Sequence, residues 1–202
     1  MGIKPDVVSY SAAISACGKG RQWKVALSLI KQMRSVGIKL NIVSYNASIQ
    51  ACASAGQPIK ALEIFHEVQE NATLDHITYN AILDAVCSSH PAKARELYCH
   101  GRSLYGAVEG IENGVPTLDL HDHSGGAGAT AVAWWLTEQV PELTSEPDQL
   151  IIVTGWGKSR RETQYGNLRG RVEALLTELD VPTLPSHNQG RFVVDAQVWR
   201  SG

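Results

Sequence analysis

Over the first hundred positions the apolar residues recur at helical spacing. Between residues 23 and 36, Val25, Leu29, Ile30 and Met33 fall on one face, which predicts an amphipathic helix stopping at Gly37. The stretch 8–17 before it also reads as helix, with Ser9 able to cap its start and Gly18-Lys19-Gly20 ending it. The pair then repeats: Gly2-Ile3-Lys4 returns as Gly37-Ile38-Lys39 and Val8-Ser9-Tyr10 as Val43-Ser44-Tyr45, both at an offset of 35 residues. A third copy, Ile77-Thr78-Tyr79-Asn80, follows Tyr45 by 34 residues. One helical hairpin cannot bury its own apolar face, so the three pairs are expected to stack as a short solenoid segment. Tyr10, Tyr45 and Tyr79 are expected inside it, packed between helices.

Between Gly101 and Gly114 the period ends, which divides the chain into 1–110 and 111–202. Beyond that point the order reads strand 115–121, helix 127–138, strand 150–153, helix 168–179 and strand 191–198. Leu150-Ile151-Ile152-Val153 is a continuous apolar run of the kind found in a strand covered on both faces. The expected fold class is therefore a helical repeat segment followed by a compact α/β domain with a mixed or parallel sheet.

Composition changes this picture in three places. At 44% hydrophobic over 202 residues the chain can bury one large core or two smaller ones, and no apolar run reaches the roughly 18 residues of a membrane span. The net charge of -2 averages a first part with 11 basic against 8 acidic residues and a second with 7 against 12. Cys17, Cys52, Cys87 and Cys99 form no CxxC pair and lie in helical sequence, so buried reduced thiols and a reducing compartment are expected.

The chemistry concentrates in the second part. In Leu118-Asp119-Leu120-His121 an imidazole stands two residues from a carboxylate, a pair that can do general acid-base work or contribute to a metal site. Thr154-Gly155-Trp156-Gly157 follows the second strand, so the two motifs are expected side by side at the carboxyl ends of neighbouring strands. The glycines allow a phosphate close to the backbone, and Lys158, Arg160, Arg161, Arg169 and Arg171 follow to neutralise it. Two other roles stay open here: Asp119 as a cap for the next helix, and Trp156 packed over the sheet edge instead of stacked on a base. His123 and His187 read as surface residues.

The first part resembles the pentatricopeptide repeats, whose consensus carries Val-Val-Ser/Thr-Tyr-Asn at the first helix and a Gly-Ile/Val-x-Pro-Asp/Asn link. Gly2-Ile3-Lys4-Pro5-Asp6-Val7-Val8-Ser9-Tyr10-Ser11 fits that pattern, and so does Gly37 to Asn46 with Leu40 in place of Pro. The third copy departs, with Leu74-Asp75-His76 replacing the link. The resemblance implies single-stranded RNA as the partner, with Val8, Val43 and Ile77 wedged between bases and Ser11, Asn46 and Asn80 against base edges. If the family's pairing of repeat positions carries over, Ser11 with Asn41 favours adenine and Asn46 with Asp75 favours uracil. A tetratricopeptide-like protein scaffold is the rival repeat reading, and its Trp-x-x-Leu-Gly-x-x-Tyr signature is missing.

The second part resembles the small MutS-related (Smr) domain in Leu118-Asp119-Leu120-His121, Thr154-Gly155-Trp156-Gly157-Lys158, Gly166-Asn167-Leu168-Arg169 and Asn188-Gln189-Gly190-Arg191. That resemblance implies nucleic-acid binding and endonuclease cleavage of RNA or DNA, with Asp119 and His121 as the catalytic pair. Asp122-His123 stands where the family commonly has Gly-Leu. This departure admits two alternatives: magnesium recruited by Asp119, Asp122 and the histidines, or a domain that binds nucleic acid without cutting it. No small-molecule cofactor is evident and no membrane partner is expected. Fusion of the two families implies a chloroplast or mitochondrial RNA-processing protein. The opening falls inside a repeat link with no transit peptide, as expected of a piece of a longer array.

Overall fold

The computed structural model describes residues 5–143, 146–155 and 168–201. By packing, the chain divides into two units, Met1–His90 and Pro91–Gly202. The helix-hairpin segment followed by a small mixed sheet with helices matches the expected fold class.

In the first unit the hairpins are α1 (Val7–Lys19) with α2 (Trp23–Ser35) and α3 (Ile42–Ser54) with α4 (Pro58–Asn71), followed by α5 (His76–Val86). α1 packs on α2 and α3, and α3 packs on α4 and α5. Tyr10, Ile14, Ala26, Ile30, Met33, Ala47 and Ala51 form the buried core of the first hairpin and its neighbour. Burying side chains such as Ile14 and Met33, both at 0% exposure, contributes about 1.5–3 kcal/mol each. The buried stripe of α2 runs through Ala26, Ile30 and Met33, and Val25, one position out of phase with that stripe, faces solvent. Tyr10, Tyr45 and Tyr79 are buried between helices as expected.

Each first helix begins with a carboxylate or amide cap. Asp6 Oδ1, Asn41 Oδ1 and Asp75 Oδ1 accept from the backbone N–H of Ser9, Ser44 and Thr78 at 2.8, 2.9 and 2.8 Å, satisfying a donor that the helix itself leaves unpaired. Ser9, expected as the cap, is the residue capped: its hydroxyl also donates to Asp6, and the helix starts one residue earlier than periodicity suggested.

The second unit opens with α6 (Pro91–Gly101) and a 3-10 turn, Arg102–Tyr105. Periodicity gives α6 to the third hairpin, whereas it packs on α7 (Gly125–Trp134) of the second unit. The sheet contains β1 (Glu109–Glu112), β2 (Val115–Asp119), β3 (Gln149–Val153), β4 (Thr183–Leu184) and β5 (Arg191–Asp195), in the order β1-β2-β3-β5-β4. β2 and β3 are parallel and the other pairings antiparallel. Leu118, Ile152 and Phe192 are in register and buried, as are Leu150 and Val194. The guanidinium of Arg169, in α8 (Leu168–Glu178), lies 4.3 Å over the Phe192 ring.

Local sequence moved three boundaries. Helix 127–138 was expected to run on, but after Trp134 the backbone passes through a wide turn, Trp135–Gln139, and a tight one, Val140–Glu142, containing Pro141, which lacks the N–H a helix needs. Strand 191–198 stops at Asp195, whose Oδ1 accepts from Val198 N at 3.1 Å and starts α9 (Ala196–Ser201). Strand 115–121 stops at Asp119, because Leu120 begins a turn closed by His123 N donating to Leu120 O at 3.0 Å.

Candidate functional site

In the second unit the parallel register sets Asp119 opposite Val153, and Leu120 N donates to Val153 O at 2.9 Å. The carboxyl ends of β2 and β3 therefore end together, and the chain leaves each in a turn. His121 is a central residue of the turn 120–123. Its backbone N–H donates to Asp119 Oδ1 at 3.0 Å, and its ring Nδ1 pairs with the same oxygen. A carboxylate only accepts, so the shared proton sits on Nδ1 and leaves Nε2 as the basic nitrogen. Both side chains are well exposed, 45% for Asp119 and 61% for His121. A pair so open adds little stability and keeps the imidazole within reach of a ligand.

Gly155 stands beside that ring. Its φ of +84° favours glycine, and a Cβ built there would sit 3.5 Å from His121 Cδ2 and 3.6 Å from Nε2. The missing side chain keeps one flank of Nε2 clear. Thr154 is tied back on the other side, its N–H (2.9 Å) and hydroxyl (3.3 Å) both donating to Gly190 O. Gly190 N donates to Asn188 Oδ1 at 2.9 Å. Arg169 donates to the Gln189 carbonyl and, at 3.4 Å, to that of Arg191. Three of the motifs singled out in the sequence thus meet at one end of the sheet. Arg169, expected on phosphate, uses one guanidinium nitrogen to hold the turn that supports Thr154. Trp156, Gly157, Lys158, Arg160 and Arg161 lie outside the described residues.

His123 overturns its assignment to the surface. It is 7% exposed, stacked on Tyr105 with centroids 4.0 Å apart, and its Nε2 is 3.3 Å from Tyr98 Oη. Facing inward, it is withdrawn from any ligand set built on Asp119, and among the described residues no group of three or more His, Cys, Asp or Glu is placed to hold a metal ion. Among the described residues the donor set, Asp119 and His121, does not fit a resident divalent cation. The glycine missing after His121 is not needed, since neither His121 nor Asp122 has a positive φ. Sequence reasoning missed Tyr98 and Tyr105 as supports; the available signal was two aromatic residues just ahead of the first strand.

In the first unit the residues expected to face a ligand occupy the first turns of α1, α3 and α5. Val8, Val43 and Ile77 stand 69%, 53% and 39% exposed at equivalent positions. Three residues on, Ser11 is buried, its hydroxyl donating to Val7 O at 2.7 Å and sharing a 2.8 Å hydrogen bond with Ser44 Oγ. Asn46 is half-buried with its Oδ1 shielded from solvent and without a hydrogen-bond partner, and Asn80 is buried. Asn41 and Asp75 commit Oδ1 to their caps, where it also accepts from Ser44 Oγ and Thr78 Oγ1 at 2.9 and 2.7 Å. What remains to Asn41 is its NH2 group, a donor, and to Asp75 its Oδ2, an acceptor.

Residues 5–54 and 40–88 match the PPR repeat family. The match supports a PPR protein. Such repeats generally bind single-stranded RNA, and both matched segments lie within the first unit. No curated protein matches the chain. Among the described residues no helix is long and apolar enough to cross a membrane.

Proposed function

We propose that the first unit holds single-stranded RNA and that the second, an Smr-like domain, cleaves a nearby phosphodiester bond. The observation that carries the catalytic part is the Asp119-oriented, exposed His121 with Nε2 beside Gly155. His121 Nε2 takes the proton from the attacking hydroxyl, or returns one to the leaving oxygen, and Asp119 fixes the tautomer and stabilises the imidazolium that forms. The backbone at Gly155 receives the phosphate. No step is routed through magnesium.

The RNA part is supported by the row Val8, Val43 and Ile77, apolar side chains left in water where bases can cover them. At the second nucleotide-facing position, beside Asn46, the Asp75 Oδ2 is an acceptor, which suits the N3–H donor of uracil. At the one before, the Asn41 NH2 suits an acceptor such as adenine N1. A chloroplast or mitochondrial role rests on the resemblance of the two parts to families fused in organellar RNA-processing proteins.

A second reading, binding without cleavage, is favoured by Asp122, which follows His121 directly and repels a phosphate there. Cleavage of labelled single-stranded RNA and supercoiled DNA by the chain and by His121→Ala, each with magnesium and with chelator, separates the two. Loss of cleavage in a variant that still binds RNA assigns the chemistry to His121, and the chelator arm reads metal dependence. A folded wild type that binds RNA and cuts neither substrate rejects the nuclease reading.

A further inference from the structure

His121 projects from a turn that is pinned at both ends. At its start, the fully buried Leu120 donates its N–H to Val153 O at 2.9 Å. At its end, His123 lies flat on Tyr105, at an interplanar angle of 18°. The Tyr98 hydroxyl and His123 Nε2, both buried, share a hydrogen bond at 3.3 Å. The pin is itself braced. Tyr98 is fully buried and packs on Trp134 at 5.6 Å, and Arg102 lies 4.7 Å over the Trp134 ring while bonding Glu109 at 3.0 Å. Immediately after His123, Ser124 caps α7 by accepting from Ala127 N at 3.2 Å. A two-residue excursion between two buried anchors leaves His121 little freedom to leave Asp119.

We propose that His123 is a positioning residue for His121: clamped by Tyr98 and Tyr105, it fixes the turn 120–123 and thereby holds the His121 ring in its Nδ1–H form against Asp119. α6 and the turn after it, which sequence periodicity gives to the repeats, thus support the candidate site of the second unit. The functional consequence rests on the reading of His121 as the working imidazole; the geometry does not.

The test is the ring-nitrogen NMR spectrum of the full chain, with the His121 signals assigned by their loss in His121→Ala. Wild type is expected to show the Nδ1–H tautomer in measurable excess over the Nε2–H form. His123→Ala removes both stack and hydrogen bond and lowers the tautomer ratio roughly fivefold, the size of one net hydrogen bond. Tyr98→Phe, near-isosteric, lowers it by a smaller factor, and His123→Phe, which keeps the stack, restores most of it. Val172→Ala, a deletion at a fully buried site of α8, lowers the melting midpoint and leaves the ratio unchanged. An unchanged ratio in Tyr98→Phe and His123→Ala overturns the proposal, and so does an equal change in Val172→Ala. If His123→Ala does not fold, Tyr98→Phe and His123→Phe decide by the same criterion. A chain that shifts its tautomer as expected yet cuts no RNA sinks the nuclease reading alone.

Discussion

Asp75 uses one carboxylate oxygen to hold α5, and the proposed nucleotide contact uses the other, so two substitutions separate the roles. Asp75→Ala removes the 2.8 and 2.7 Å bonds to the backbone N–H and hydroxyl of Thr78, leaving a donor of the first turn unpaired. The cost of such a cap is about 1 kcal/mol, which in a unit of this size lowers the melting midpoint by about 4–8 °C. Asp75→Asn keeps an acceptor at the cap and loses only the favourable charge at the helix N-terminus, about 0.3–1 kcal/mol when exposed. It is therefore the milder change for stability. For recognition it is the sharper one, because it replaces the outward acceptor Oδ2 by an NH2 donor. The preferred nucleotide is expected to move from uracil, which donates at N3, toward cytosine, which accepts there. Loss of one such hydrogen bond weakens uracil binding about five- to tenfold. Circular dichroism melts and fluorescence anisotropy against short RNAs differing at one nucleotide read both quantities. Equal destabilisation by the two variants refutes the cap argument, and an unaltered nucleotide preference in a folded Asp75→Asn refutes the role of Oδ2.

Gly155→Ala is expected to destabilise the second unit by about 1–2 kcal/mol through its positive φ, read by denaturant titration, and to crowd His121 Nε2, read as slower cleavage than in the parent chain. Val43→Asp places a charge on an already exposed position, so the melting midpoint should stay within a few degrees while RNA affinity falls, as measured by anisotropy. The Asp6 carboxyl is held below its ordinary 3.8 by the backbone N–H of Ser9 and then by the Ser9 hydroxyl. Its contribution is complete above that value and is lost as pH falls further; an Asp6→Ala chain should therefore show a shallower acid melt. Burial pushes the Cys52 thiol up to about 11 and raises the Cys99 thiol too, but Cys99 is exposed, so alkylation of the folded chain at neutral pH should label Cys99 through its access to reagent and spare Cys52, as peptide mass mapping will show.

The elements were legible where a single segment carries its own signal. The 35-residue return of Val-Ser-Tyr located α1 and α3, and the continuous run Leu150 to Val153 located β3, because burial of a repeated face leaves its period in the sequence. The meeting of Asp119 and His121 with Gly155 was legible too, since parallel neighbours bring their carboxyl ends together. The caps were less so: Asp6 and Ser9 both have capping side chains, and only the backbone angles decide which one lies outside the helix. β4, with two residues, has too few positions to show alternation. The burial of His123 was not legible at all. Its partners Tyr98 and Tyr105 are 25 and 18 residues away in sequence, and nothing local distinguishes a histidine that stacks on a distant ring from one in water. The tie from Arg169 to the turn was hidden for a similar reason, because its carbonyl partners become neighbours only when β5 joins the sheet.

The placement of α6 with the second unit has a consequence for anyone who wishes to recombine these parts. By its repeating letters the chain invites a cut near residue 110, after the third hairpin. Such a cut would carry Tyr98 away with the donor array and leave the recipient with a turn whose anchoring ring is gone. A graft joined ahead of Pro91 hands over the helix, the tyrosines and the histidine together. In this chain the unit of heredity written in the repeats and the unit that can be exchanged are offset by one helix.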